Sequence, residues 1–302
     1  MLVYSHPDCA RHEVPDGHPE RSDRMGAVMA GLEHAGLLAQ VETRQASRAS
    51  NEELAGVHAT DLIQILTTTS PTDDLVAIDA DTCMGPTSLS AAIHAAGAVL
   101  DGVRAVLDGT HRRAFCAVRP PGHHAEADAA MGFCLFNSVA VGAHAALEQL
   151  ERVAILDFDV HHGNGTVDIF KNRPEVLVCS SFQHPFYPFR YADIHRPNIV
   201  NTPLPAGTAS DAFRQAIERD WLPALDAHRP QLILVSAGFD AHAHDPLAQL
   251  QLQTDDFRWI TELIVDQAER FADGAVVSTL EGGYDLDALA ASAAAHVGAL
   301  AA

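Results

Sequence analysis

The chain has 302 residues, with 40 acidic and 19 basic side chains and a formal net charge of −21. Both signs are spread along it, so no basic patch of the kind a nucleic-acid surface needs is present; the acidity reads as solubility, with a preference for cationic substrates as a secondary reading. No run of 18 apolar residues marks a membrane span, the opening Met1-Leu2-Val3-Tyr4-Ser5-His6-Pro7 lacks the basic and apolar regions of a signal peptide, and five scattered cysteines without C-x-x-C spacing read as reduced thiols in a cytoplasmic setting.

Residues 2–4 form a short first strand. A loop rich in Pro, Gly, Asp and His follows, through Gly17-His18-Pro19-Glu20-Arg21. Asp23 is expected to cap a helix reaching about residue 38, and 41–44 is a weak strand. Residues 59–68 read as a helix with Leu62, Ile65 and Leu66 inward, 70–86 as loop, and 87–107 as an alanine-rich helix. A pattern then repeats. The strand 114–118 ends in Arg119-Pro120-Pro121-Gly122-His123-His124, and 137–149 is helical. The strand 153–158 runs into Asp157-Phe158-Asp159-Val160-His161-His162-Gly163-Asn164-Gly165-Thr166. The strand 176–180 ends in Ser181-Phe182-Gln183-His184-Pro185, and 199–204 is extended. A helix capped by Ser210 follows, to about residue 225. The strand 231–235 ends in Ser236-Ala237-Gly238-Phe239-Asp240, and Thr254 begins another helix. The strand 274–279 ends in Glu281-Gly282-Gly283-Tyr284, and Asp285 starts a last helix. Apolar strands alternating with helices predict an α/β fold with a mostly parallel sheet covered on both faces. With no linker or composition shift, 1–302 reads as one domain.

The polar residues gather where strands end. His123-His124, Asp157-Asp159-His161, Asp240 and Tyr284 all follow carboxyl ends, the edge at which open α/β sheets bind ligands. In an extended chain Asp157, Asp159 and His161 share one face. Alone, such a run also suits a solvated loop; with the other strand ends it reads as a metal site. Asp159, His161 and Asp240 make three ligands and leave a position open, the arrangement of hydrolytic rather than structural sites. His123 and His124 are candidates for the proton transfers, Asp157 and Asn164 for orienting them, and Tyr284 for donating to a developing oxyanion. Bland readings stand beside these: an exposed His-His pair, and an aromatic packed on the sheet. His162 reads as structural. The run Asp240 to Asp245, with His242 and His244, is a weaker candidate for a second metal cluster, with Asp245 read as support.

Taken together, these motifs resemble the histone deacetylase superfamily, in particular bacterial class II-like members and the acetoin-utilisation and acetylpolyamine amidohydrolase proteins. Gly132-Phe133-Cys134, Asn198-Ile199-Val200-Asn201 and Pro203-Leu204-Pro205-Ala206-Gly207 extend the likeness over nearly the whole chain. The resemblance implies the three-layer arginase/deacetylase fold and one Zn2+ on Asp159, His161 and Asp240, although ligand type alone does not fix the metal. It implies His124 as general base and then acid, oriented by Asn164, with His123 as electrostatic partner bonded to Asp157, and Tyr284 polarising the substrate carbonyl. Gly132, Phe133 and Tyr187 would wall a tunnel, Asp81 and Leu247 would stand at its rim, and Arg21 would line a channel beyond the metal. A structural K+ would use Asp157, Asp159, His161, Ser180 and Ser181. Two departures fall near the mouth or the ion site: Phe189-Arg190-Tyr191 replaces a Gly-Thr-Gly loop, and Phe182 stands where histidine is usual. The implied activity is removal of acetyl or another acyl group from lysine side chains; the alternative is an acetylpolyamine or other small acetylated amine. Leu247 favours lysine, because polyamine-selective relatives can carry an acid there. The substrate would be an acyl-lysine protein or peptide, and the oligomeric state is left open.

Overall fold

A computed structural model describes residues 1–302. The strands, in chain order, are β1 (Leu2–Ser5), β2 (Glu42–Gln45), β3 (Val76–Ala77), β4 (Cys83–Met84), β5 (Arg113–Cys116), β6 (Val153–Asp157), β7 (Val176–Gln183), β8 (Ile199–Leu204), β9 (Ile233–Ala237) and β10 (Val276–Leu280). The helices are α1 (Pro7–Ala10), α2 (Asp23–His34), α3 (Asn51–Ala55), α4 (Thr60–Thr69), α5 (Ser88–Leu107), α6 (Ser138–Ala146), α7 (Asn164–Phe170), α8 (Ser210–His228), α9 (Thr254–Phe271) and α10 (Leu286–Ala301). Eight strands form one sheet in the order β2-β1-β5-β10-β9-β6-β7-β8, and every pairing in it is parallel. The expectation of a mostly parallel sheet is thus exceeded. Only the small β3–β4 hairpin, inside the segment read as loop, is antiparallel.

The strands are apolar throughout because both faces are covered. Val153 and Ile155 of β6 point into one apolar cluster with α5 and α6, while Ala154 and Leu156 point into another with α2, α8, α9 and α10. The two clusters hold 42 and 36 buried residues, so neither face is subordinate and the architecture is three-layered. α5 is long and apolar enough to cross a membrane, yet most of its length is buried against the sheet and α6.

Several local expectations shift. In α4 it is Ile63 that is buried, while Ile65 is 55% exposed. Helical spacing puts Ile63 with Leu62 and Leu66 on the inner side. Asp23 lies inside α2 rather than capping it. Ser210 also lies within its helix, where its hydroxyl donates to Asp256 instead. Asp285 does cap α10, accepting from the Ala288 N–H. All five cysteines are free.

The parallel sheet brings its carboxyl ends to one edge. The strands that carry the polar motifs, β5, β10, β9, β6 and β7, are consecutive neighbours. The motifs therefore meet although they are far apart in sequence.

Candidate active site

Asp159, His161 and Asp240 are all buried, and one ligand atom from each lies within 4.8 Å of the others. β6 ends at Asp157, so the alternation of the motif is maintained by side-chain turns rather than by strand. Asp157 Oδ1 accepts from the Asp159 N–H at 3.1 Å, and Asp159 Oδ1 accepts from the His161 N–H at 2.8 Å. His161 Nδ1 sits 3.0 Å from Asp159 Oδ1 and 3.2 Å from Asp240 Oδ2. Burial opposes charge on His161, but these two carboxylates outweigh it and raise the imidazole to about 10. Asp240 Oδ2 is buried without an aligned hydrogen bond. Two buried carboxylates closing on one imidazole call for a cation, and a divalent ion matches their charge. The residues therefore fit the metal that the motif implies. Gly282 makes room for the cluster: its N–H donates to Asp159 Oδ2 at 2.8 Å, and an added Cβ would lie 2.0 Å from Asp240 Oδ2.

Both tandem histidines are buried, so the reading of an exposed pair does not apply. His123 Nδ1 pairs with Asp157 Oδ2 at 2.9 Å. Burial disfavours its charged form, yet Asp157 and Asp159 prevail and hold it well above the usual histidine range. His124 Nδ1 meets Asn164 Oδ1 at 2.7 Å. Burial, with His123 and His161 nearby, pushes His124 well below that range. The two neighbours thus acquire opposite characters, the division of labour found where acid–base roles are split. Tyr284 is held from behind by its N–H donating to Asp245 Oδ2 at 2.8 Å. Burial and Asp240 push its hydroxyl well up, so it stays a proton donor.

A cavity of about 120 Å³ reaches this cluster, lined by Asp81, His124, Gly132, Phe133, His161, Tyr187, Leu247 and Tyr284. All five expected wall and rim residues are among them. The Tyr187 ring stands 5.2 Å from that of His124, edge to face, and Phe133 faces Tyr284 at 6.2 Å. Asp81 Oδ1 accepts from the Gly132 N–H at 3.0 Å, and the Thr82 hydroxyl accepts from Phe133 N–H at 3.0 Å. Gly132 has φ +59, and a Cβ there would lie 2.5 Å from the His124 ring, so this wall requires glycine.

The histone deacetylase domain matches residues 18–300. The chain belongs to the histone deacetylase family. With membership comes the family's reaction class, hydrolysis of an acetylated substrate; zinc dependence is general in the family. The chain is 41% identical over 277 residues to a histone deacetylase-like amidohydrolase of Pseudomonas aeruginosa, covering 89% of this chain and 73% of that one. It is 36% identical to rice histone deacetylase 10, chloroplastic, over 92% and 68% of the two chains. The crystal structure of the HDA15 HD domain superposes with a TM-score of 0.93 at 34% identity, covering 99% of this chain and 87% of that one.

This deacetylase domain also buries charged residues whose roles the sequence did not disclose. Arg21, expected along an inner channel, is half-exposed and faces Asp23 at 3.5 Å. The buried arginine is Arg24, whose guanidinium lies 5.0 Å from the centre of the Tyr284 ring and donates to the Gly283 carbonyl at 2.7 Å. Arg24 and Arg119 both pair with Glu20, and all three are fully buried. Burial opposes the Glu20 charge, but Arg119, His12 and Arg24 hold the carboxyl down at about 2. Glu281 accepts from the N–H groups of Gly122 (2.6 Å) and His123 (3.2 Å), tying the histidine loop to β10. A charged residue in a loop looks solvated in sequence; only its buried partners show otherwise.

The residues named for potassium lie together. Asp157 and Ser180 are register partners on β6 and β7, and the Ser181 hydroxyl, next along β7, is buried without a hydrogen-bond partner. Phe182 is buried with its ring 4.5 Å from that of His162, whose Nε2 meets Asn201 Oδ1 at 3.0 Å, in keeping with a structural His162. No second metal cluster forms between Asp240 and Asp245: His242 stacks on Phe257, while Asp245 supports Tyr284 and Leu247 through their N–H groups. A separate grouping of His6, Asp8 and His94 has ligand-like spacing. Its imidazoles stack at 3.5 Å and 4°, so their lone pairs run parallel rather than converging.

Proposed function

We propose that this protein is a zinc-dependent amidohydrolase that removes acetyl groups from lysine side chains. The observation that carries the reading is the aromatic-walled cavity of about 120 Å³ ending at His124, His161 and Tyr284. Its small volume and its Phe133 and Tyr187 walls suit an alkyl stem. Asp159, His161 and Asp240 would hold the metal, which when bound would lower the pKa of water and polarise the substrate carbonyl.

The chain's own residues supply the rest. His124, with Nδ1 committed to Asn164, keeps Nε2 free to take a proton from the attacking water. The same nitrogen then returns that proton to the amine as the C–N bond breaks, leaving acetate and free lysine. Tyr284 donates to the carbonyl oxygen as negative charge develops on it. His123, held charged by Asp157, adds positive potential beside His124. Phe133 and Tyr187 exclude water from the stem, and Asp81 at the rim would accept from the substrate backbone.

Leu247 supports lysine over polyamine, since an apolar rim residue offers nothing to a second ammonium group. The test is turnover of an acetyl-lysine peptide and an acetylpolyamine in parallel. Preference for the peptide is expected. Preference for the polyamine would overturn the substrate assignment and leave the chemistry standing.

A further inference from the structure

The loop Phe189-Arg190-Tyr191 reaches into the catalytic machinery from outside. Arg190 is about half-exposed, but its Nη1 donates to Glu126 Oε2 at 2.6 Å, and Glu126 is almost wholly buried. The other oxygen, Oε1, accepts from Asn164 Nδ2 at 2.8 Å. Asn164 Oδ1 in turn meets His124 Nδ1 at 2.7 Å. Three segments distant in sequence thus form one line of hydrogen bonds ending at the proposed general base.

The line has a polarity. An ionised carboxylate only accepts, so Glu126 requires the nitrogen side of the Asn164 amide to face it. The oxygen side then faces His124, which must carry its proton on Nδ1 and present a lone pair on Nε2. The His124 carbonyl favours the same amide orientation, but at 3.3 Å it is the weaker constraint. A reversed amide would aim N–H at Nδ1 and move the imidazole proton to Nε2, where it blocks base catalysis. Arg190 is the only cationic side chain in salt-bridge reach of Glu126. Without it the carboxylate is a buried charge with no counter-ion, and it would leave Asn164 to reach water.

We propose that Arg190 is a positioning residue that fixes the tautomer of His124 through Glu126 and Asn164. The loop that departs from the family pattern therefore sets the catalytic base. The inference rests on the deacylase reading for its kinetic consequence but not for its structural one.

The test combines Arg190→Met, Arg190→Lys, Glu126→Gln and the Arg190→Met/Glu126→Gln double variant. Each is assayed on an acetyl-lysine peptide with zinc content matched, and its imidazole 15N shifts are recorded, the His124 signals being assigned by their loss in His124→Ala. Arg190→Met is expected to lower kcat by about 10-fold to 100-fold with KM unchanged, as loss of an orienting partner does. Arg190→Lys should retain most activity. The double variant should be no worse than Glu126→Gln, because both changes cut one line. The His124 signals should move from the Nδ1–H toward the Nε2–H tautomer in Arg190→Met. A raised KM with unchanged kcat, or losses that multiply in the double variant, would overturn the proposal. If the wild type hydrolyses no acyl-amine, the deacylase reading fails, and the 15N shifts alone still decide whether Arg190 sets the tautomer.

Discussion

Tyr284 shows how much of the site rests on single side chains held from behind. Asp245 grips its backbone, Arg24 lies beside its ring, and Gly282-Gly283 allow the chain to pass close to the acidic cluster. Only the hydroxyl remains for substrate. Tyr284→Phe is therefore expected to cost about 10²–10³ in kcat, the loss typical of one oxyanion donor. Metal content should be unchanged, and near wild-type turnover in that variant would remove Tyr284 from the mechanism. Gly282→Ala should act on the metal instead. Its methyl would lie 2.0 Å from Asp240 Oδ2, so lower zinc content by elemental analysis is the expected result.

Glu20, Arg24 and Arg119 act between elements. Glu20 precedes α2, Arg24 lies on it, and Arg119 follows β5; Arg24 also bonds the backbone after β10. The triad fastens a helix from one layer to the strand ends that carry His123 and Tyr284. Removing Glu20, the partner both arginines share, leaves two uncompensated buried guanidiniums, so Glu20→Ala should cost about 3–5 kcal/mol in urea unfolding. A cost within experimental error would show that the triad is not structural. At this scale the sequence was legible where a pattern was repeated and local. Alternating apolar strands and helices conveyed the layered α/β architecture, and strand-end motifs conveyed Asp159, His161, Asp240, His123, His124 and Tyr284. Ile63 and Ile65 were confused because a short apolar helix run leaves its phase open. Arg24 and Arg21 are not distinguishable in the sequence, because neighbouring arginines look alike until a partner buries one of them. Glu126 and Glu281 were hidden for the same reason: their partners come from other strands and loops.

Across the whole molecule, buried neutral histidines link stability to pH. Burial pushes His296 down to about 3, and its ring nitrogens are engaged by Thr261 and Ser278. His58, pushed down to about 4 by burial, accepts from the Asn137 N–H and so must give its one proton to the Glu126 carbonyl. Both resist a second proton that the unfolded chain takes up near 6.5. Their stabilisation is thus complete above about pH 6.5 and is lost as pH falls toward 4 and 3, by about 2 kcal/mol each between pH 6.5 and 5. Asp157, pushed up to about 6 by burial against the pull of His123, works in the opposite sense over part of that range, so the check is a difference. Unfolding free energies at pH 7 and pH 5 should fall less for His296→Gln than for wild type; equal slopes would refute the histidine linkage. We propose metal-dependent hydrolysis of acyl-lysine at the Asp159, His161 and Asp240 cluster. Its most direct test is turnover of an acetyl-lysine peptide by chelator-stripped protein as zinc is returned stepwise. No turnover is expected in the stripped protein, with full recovery at one zinc per chain. Turnover without metal, or recovery only at two metals per chain, would contradict it.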